Sequence, residues 1–293
     1  MWIWLVLLYG LLKGCREICK KKALQTSSSI EVLLIYTCVS FLLVVFDFKN
    51  ALGMEPRFYF FIAIKSFVIF LAWIMSFIAI RNLPLSMYGV LDLSRVLFST
   101  LLGVCVLNEH MGTLQTFGLI LVCSGLLLLK FKPKAKEPVD ERYPKNIQKI
   151  EKKYSAVIII VALISCMLNS VSGLLDKILT KYITSSQLQF WYMLFLCLFY
   201  ITYALCMREK ISIKRAVKNK WIWLLSIMFV IADRALFIAN ADPASKVTVM
   251  TLIKQAGAVV TILAGKFIFK EKNVSHKLIC AAIIIAGIML GVL

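Results

Sequence analysis

Asp92 and Arg95 lie inside LSMYGVLDLSRVLFSTLLGVCVLNE, residues 85–109, an apolar run long enough to cross a bilayer. A charge near the bilayer centre costs roughly 2.5–3.5 kcal/mol on insertion scales, so it turns toward a bundle interior, a partner or a water-filled cavity. Tyr88, Asp92, Arg95 and Ser99 recur at spacings of four, three and four, which places them on one helical face. Other charges interrupt later runs: Lys65, Asp233, Arg234 and Lys254. At about 1.5 Å of rise per residue, all six lie roughly 10–20 Å from the start of their runs, near the middle of a core about 30 Å thick. Lys13, Arg16, Glu17, Asp176 and Lys177 fall closer to run ends, where long side chains snorkel to the interface.

The chemistry open to this set is anion binding. Lys254, Arg95 and Lys65 can hold a carboxylate or phosphate, Asp92 can bind an amine or carry a coupling proton, and the competing reading is a buried structural ion-pair network. Basic groups outnumber acidic ones at depth, which favours an anionic or zwitterionic ligand. Asp233, Gln255, Tyr88 and Trp73 complete the candidate binding set, and Trp191 and Tyr192 are deep aromatics of the same kind. Glu17 and Asp176 form an acidic pair suited to a gate, a proton site or a structural cap. Ser165, Asn169, Ser172, Asp176 and Thr180 make one polar face, and Glu109 and Glu271 fit helix-turn architecture.

The elements that must position these residues are membrane spans. The chain has 293 residues, 61% of them hydrophobic, with a mean hydropathy of +0.86. That composition excludes a soluble protein and implies an all-helical polytopic one. Charged, Pro and Ser-rich punctuation cuts it into ten expected spans, near 2–22, 30–48, 57–81, 85–107, 112–130, 154–179, 186–206, 220–240, 246–269 and 276–293. The first run lacks a basic leader region and reads as a retained helix. The basic segment 131–153 divides two five-helix halves, 1–130 and 154–293.

The halves carry matching punctuation. Gly14 and Gly173, Glu17 and Asp176, Lys22 and Lys181, and Pro84 and Pro243 are 159 residues apart, whereas Gly103 and Gly265, Glu109 and Glu271, and Gly125 and Gly287 are 162 apart. A three-residue insertion between Pro84 and Gly103 reconciles the offsets. With five spans per half the repeat is inverted, and Lys254 falls at the position equivalent to Asp92, where the two charges can face each other across a cavity. Lysine and arginine concentrate in alternate connections, at 20–22, 130–153, 208–220 and 270–273. These loops are expected in the cytoplasm of a cell membrane, plasma or bacterial inner, with both termini outside.

The net charge of +19 belongs to these loops and to anionic headgroups, so no nucleic-acid partner is implied. The nine cysteines lie in or beside apolar runs and read as small core residues. His110 and His276 sit in expected turns. With no zinc-ligand spacing, P-loop or nucleophile motif, the sequence implies no enzyme, cofactor or metal. Asn273-Val274-Ser275 matches a glycosylation sequon in a short basic loop against the membrane and is set aside.

LPLSMYGVLDLSRVLFSTLLGVCVLNEHMGTLQTFGLILVCSGLLLL at 83–129 and its weaker echo ASKVTVMTLIKQAGAVVTILAGKFIFKEKN at 244–273, within a five-plus-five layout, resemble the EamA-type branch of the drug/metabolite transporter superfamily. The resemblance spans the chain and implies a basket of helices around a central cavity, a metabolite or drug as cargo, and export. Asp92 and Arg95 depart from the uncharged pattern of many relatives. The expected function is secondary transport, by alternating access, of a small polar metabolite with an anionic group, an amino acid or related organic acid, coupled to protons or a counter-substrate. Exchange of phosphorylated or nucleotide-linked sugars is the alternative, and a non-transporting partner in a lipid-modifying assembly is the reading from another class.

Overall fold

The computed structural model describes residues 2–107, 112–130, 145–207, 211–242, 245, 250, 253–271 and 274–292. Glu109, His110, Pro243, Asn273 and most of the expected linker lie outside them. Every regular element among the described residues is a helix: α1 Trp2–Ala23, α2 Ser29–Val44, α3 Phe48–Ala51, α4 Pro56–Asn82, α5 Leu85–Asp92, α6 Ser94–Leu107, α7 Thr113–Lys130, α8 Lys145–Leu179, α9 Ser185–Cys206, α10 Ile213–Lys218, α11 Lys220–Ala241, α12 Ala256–Phe267 and α13 Val274–Val292. Helices suit a bilayer because each satisfies its own backbone hydrogen bonds.

Among the described residues, six stretches are long and apolar enough to cross a membrane: Ser29–Ala51, Pro56–Asn82, Leu85–Leu102, Ala156–Leu179, Ser185–Cys206 and Lys220–Ala241. Shorter apolar helices occupy Thr116–Leu128, Gly257–Phe267 and Val274–Gly287. The chain is thus a multi-pass membrane protein. Helix α1 has the length of a span but carries Lys13, Arg16 and Glu17.

Local chemistry sets the ends. Ser28 and Thr184 open α2 and α9 with capping boxes, each side chain accepting from the backbone N–H three residues on while Glu31 or Gln187 returns the bond. Pro56 stands at the start of α4, where its missing N–H costs nothing. At the end of α1, the Lys21 ammonium donates to the carbonyls of Ile80 at 2.6 Å and Leu83 at 2.7 Å, tying that helix to the C-terminus of α4.

The expected span 85–107 is not one helix. It breaks at Leu93, whose N–H reaches back to Val90 at 3.1 Å, and the charged pair Asp92 and Arg95 straddles the break. In the other half, helical residues 253–254 end at Gln255, and α12 begins at Ala256. Leu93 and Gln255 are 162 residues apart.

Packing crosses between the first and second halves of the chain. Helix α1 lies against α11 and α12, α4 against α8 and α9, α2 against α9 and α11, α5 against α12, α6 against α8, and α7 against α13. In lipid such contacts rest on close van der Waals fit rather than on the hydrophobic effect. A Cβ added at Gly125 would stand 3.1 Å from the Cys280 carbonyl, and one at Gly287 would stand 2.6 Å from the Gly118 carbonyl. The α7–α13 crossing is therefore reciprocal. Inside, Tyr36, Trp73, Tyr192 and Phe229 form an aromatic cluster with centroids 5.1–6.4 Å apart. Outside, Phe46, Trp4 and Leu205 are exposed, as side chains in lipid should be.

Cys38 on α2 and Cys197 on α9 bring their Sγ atoms to 3.1 Å. A variant retaining only these two cysteines should form one intramolecular disulfide with copper phenanthroline, read as a cross-linked peptide by mass spectrometry. Persistent free thiols in folded protein would refute the α2–α9 register.

Candidate functional site

The site begins on α1. Tyr9, Lys13, Arg16, Glu17 and Lys20 lie four, seven, eight and eleven residues along, one stripe of the helix. Except for the half-buried Tyr9, all are buried. The sequence reading placed Lys13 and Arg16 near a helix end, snorkelling; they instead point inward and pair. The Lys13 ammonium donates to Asp92 Oδ2 at 2.5 Å, and Arg16 Nη1 donates to Asp233 Oδ1 at 3.2 Å. Lys20 donates to Glu17 Oε1 at 2.7 Å. The guanidinium of Arg16 also lies 4.8 Å from the Phe229 ring centre, a cation–π contact that helps a buried charge tolerate desolvation.

Asp92 takes two cations. Besides Lys13, Arg95 Nε stands 2.5 Å from Oδ1. It is this carboxylate, at the α5–α6 break, that joins the first helix to the fourth expected span. The anticipated facing of Asp92 and Lys254 is not what forms, because Lys13 reaches Asp92 first. Lys254 instead lies 5.8 Å from the Tyr9 ring centre, is half-buried, and makes no ion pair among the described residues.

Lys65, without an acid nearby in sequence, finds one across helices: its ammonium is 3.0 Å from Asp176 Oδ1 and 3.2 Å from the centre of the Tyr192 ring. Glu17 and Asp176 are thus each matched to a lysine. Asp233 and Arg234 separate, for Arg234 donates to Asp47 at 2.5 Å and Ser186 at 2.8 Å, toward the bundle end. Lys177 reaches the Asn240 carbonyl at 3.3 Å. Tyr88 donates to or accepts from Ser76 at 2.7 Å, Trp73 is taken up in the aromatic cluster, and Gln255 is buried beside Lys254.

The helix crossing that holds Lys254 is close. A Cβ on Gly14 would stand 2.7 Å from the Gly257 carbonyl, and one on Gly257 would stand 2.5 Å from the Gly10 carbonyl, so α1 and the start of α12 meet backbone to backbone. Larger residues would push Lys254 away from Tyr9.

Glu271, beyond the other end of α12, ties that end to α5. Its carboxylate accepts from the backbone N–H groups of Leu85 at 2.5 Å and Ser86 at 3.0 Å, and from the Ser86 hydroxyl. It caps the N-terminus of α5 from another helix pair, where a negative charge meets free N–H groups. Lys277 sits 3.5 Å from it.

Among the described residues no group of three His, Cys, Asp or Glu could hold a metal. A groove of about 270 Å³ lies between α4 and α8, lined by Arg57, Phe58, Leu175 and Tyr182 among others. It shares no residue with the charged belt.

Sequence reasoning missed Tyr9, Lys13 and Arg16 as site residues. The signal was their i, i+4, i+7 spacing together with a depth of about 10–21 Å into the run 2–22, matching that of the other charges.

A model of the EamA-like transporter family matches residues 1–131. A solved structure, titled only as the crystal structure of a protein, is similar over 99% of this chain and 95% of its own, with a TM-score of 0.66 and 12% identity; that likeness concerns the fold alone. A search of curated proteins finds no match.

Asp92→Asn should lower stability by about 3–5 kcal/mol, because it strands Lys13 and Arg95 as buried charges, measured by thermal or denaturant unfolding in detergent. Lys13→Met combined with Asp92→Leu should recover part of that loss. Glu55→Gln, which breaks the exposed Arg57–Glu55 pair, should leave stability unchanged.

Proposed function

We propose that the chain, which a model of the EamA-like transporter family matches over residues 1–131, is a member of the drug/metabolite transporter superfamily and a secondary transporter of a small polar metabolite bearing an anionic group, an amino acid or related organic acid. Family members are transporters rather than enzymes, and this chain moves its cargo outward across a cell membrane, coupled to protons or a counter-substrate. The observation that carries the anionic cargo is Lys254, which stands within a belt of matched charges without an ion pair of its own among the described residues.

Ten spans, arranged as two inverted halves at 1–130 and 154–293, position that belt. Three features support the arrangement. Cys38 and Cys197, 159 residues apart, touch each other; the α7–α13 glycine contacts are reciprocal at an offset of 162; and helices break at both Leu93 and Gln255. Broken helices place backbone and charge at the midplane, where transporters bind cargo. The basic loops face the cytoplasm.

Alternating access is the mechanism. Gly14 and Gly173 are repeat equivalents in different surroundings, since Gly14 is packed against Gly257 and Val260 whereas no described atom lies within 4 Å of a Cβ on Gly173. Gly173 is exposed although it shares the α8 face of Asn169 and Asp176. The bundle is thus closed where α1 meets α12 and Glu271 caps α5, and open beside the C-terminal half of α8. Rocking exchanges the two environments.

Purified protein in proteoliposomes should show saturable counterflow with an amino acid or organic acid, and Lys254→Met should lower it at least about tenfold, the value of a charge-assisted bond. Absence of saturable flux for every anion and zwitterion tried, with folded protein, would sink the reading. Separately, Gly173→Cys in a cysteine-free background should react with a membrane-impermeant maleimide, and saturating substrate should slow the reaction. Resistance to labelling from both sides would refute the open side.

A further inference from the structure

We propose that the site takes a small organic dianion, with one charged end on the Arg95 guanidinium and the other on the Lys254 ammonium. The inference rests on the transporter reading above and sharpens it to a substrate class.

Charge balance is the first support. The belt holds six basic side chains, Lys13, Arg16, Lys20, Lys65, Arg95 and Lys254, against four carboxylates, Glu17, Asp92, Asp176 and Asp233. Three carboxylates hold one cation each: Arg16 with Asp233, Lys20 with Glu17, Lys65 with Asp176. The fourth, Asp92, is shared by two. One surplus positive charge therefore sits at the Lys13–Asp92–Arg95 group and a second at Lys254. A pair of surplus charges in a low-dielectric interior calls for two negative charges, and a monoanion leaves one cation buried without a counter-ion.

Geometry supplies the second support. Arg95 meets Asp92 through Nε, 2.5 Å from Oδ1, an ion pair in which neither atom makes a hydrogen bond, so the guanidinium keeps donors for a ligand. Its side chain is 21% exposed while those of Lys13 and Asp92 are 7% and 5% exposed. The outward fork is the planar donor set that matches a carboxylate or phosphate in two parallel bonds. Lys254 supplies a point charge rather than a fork. It is held near this group because Gly10 packs on the Lys254 backbone at the α1–α12 crossing, one turn from Lys13. The Tyr9 ring lies 5.8 Å from Lys254 and 5.9 Å from Arg16 and gives the ligand's carbon skeleton an apolar wall beside Lys254.

Dicarboxylates and phosphate monoesters share this chemistry. Binding of succinate, glycerol 3-phosphate, lactate and alanine to the purified full chain, by titration calorimetry or thermal shift, separates the sources and tests the charge count. Succinate or glycerol 3-phosphate should bind at least about tenfold tighter than lactate or alanine, and the tighter of the two identifies the headgroup. Lys254→Met, which leaves every ion pair in the belt intact, should reduce dianion affinity about tenfold and leave lactate affinity unchanged. Arg95→Gln should weaken both. Lactate or alanine binding as tightly as the better dianion, or an unchanged dianion affinity in monodisperse Lys254→Met protein, would overturn the dianion and leave the transporter reading standing. Binding and flux by none of the four would overturn the anion reading beneath it too.

Discussion

The Asp92 carboxylate, held between Lys13 and Arg95, is the contact on which the rest of the bundle depends. An ion in an apolar interior is tolerated only with a partner; Asp92 has a hydrogen-bonded one, Lys13 on α1, and a second ion-pair contact, Arg95, on the far side of its own helix break. The pairing fixes α1 against α5 and α6. Once α1 is fixed, its other charges have defined neighbours: Arg16 meets Asp233 on α11, and the glycine face made by Gly10 and Gly14 meets Gly257. The ion pairs therefore act as registry marks between helices whose apolar surfaces alone would slide.

The helix breaks follow from the same constraint. A continuous helix through residues 85–107 would carry Asp92 and Arg95 as ordinary side chains separated by one turn. Ending α5 at Asp92 and starting α6 at Ser94 frees backbone groups at the break, a cost acceptable in a membrane only where protein or a polar cavity surrounds them. The buried neighbours Cys166 and Ser170 on α8 do this, donating to the carbonyls of Leu91 at 3.6 Å and Arg95 at 3.0 Å. Lys254 occupies the matching place before the break at Gln255.

Much of the layout was legible in the sequence because hydropathy and punctuation encode depth. Runs cut at charge and proline fall within a few residues of helices such as α4, expected at 57–81 and found at Pro56–Asn82. The offset of 162 set Asp92 and Lys254 at matching sequence positions, and each stands one residue before a helix break, at Leu93 and Gln255. What the sequence does not encode is which helix faces which. Lys65 and Asp176 are 111 residues apart and meet only because α4 lies along α8. The reading of α1 was also off: Lys13 and Arg16 lie about 17 and 21 Å into the run 2–22, as deep as the charges read as midplane, and α1 buries both where it packs on α11 and α12. Trp73 and Tyr88 look like pocket walls by depth, but their partners are ring edges and a serine hydroxyl.

The same distinction bears on how the proposed transporter would work. Charges that are matched within the belt resist separation, so they belong to the parts that move as units: Lys65 with Asp176 couples α4 to α8, and Arg16 with Asp233 couples α1 to α11. Packing at Gly14 and Gly257 has no such electrostatic lock, because it consists of backbone contacts made close by missing side chains. An interface of that kind separates at the cost of dispersion contacts alone, each only about 0.1–0.2 kcal/mol, and reforms without any charge having to find a new partner. Asymmetry between Gly14 and Gly173 then needs no difference in chemistry between the halves. In the proposed mechanism it is the two-state packing of one motif, closed at Gly14 and open at Gly173.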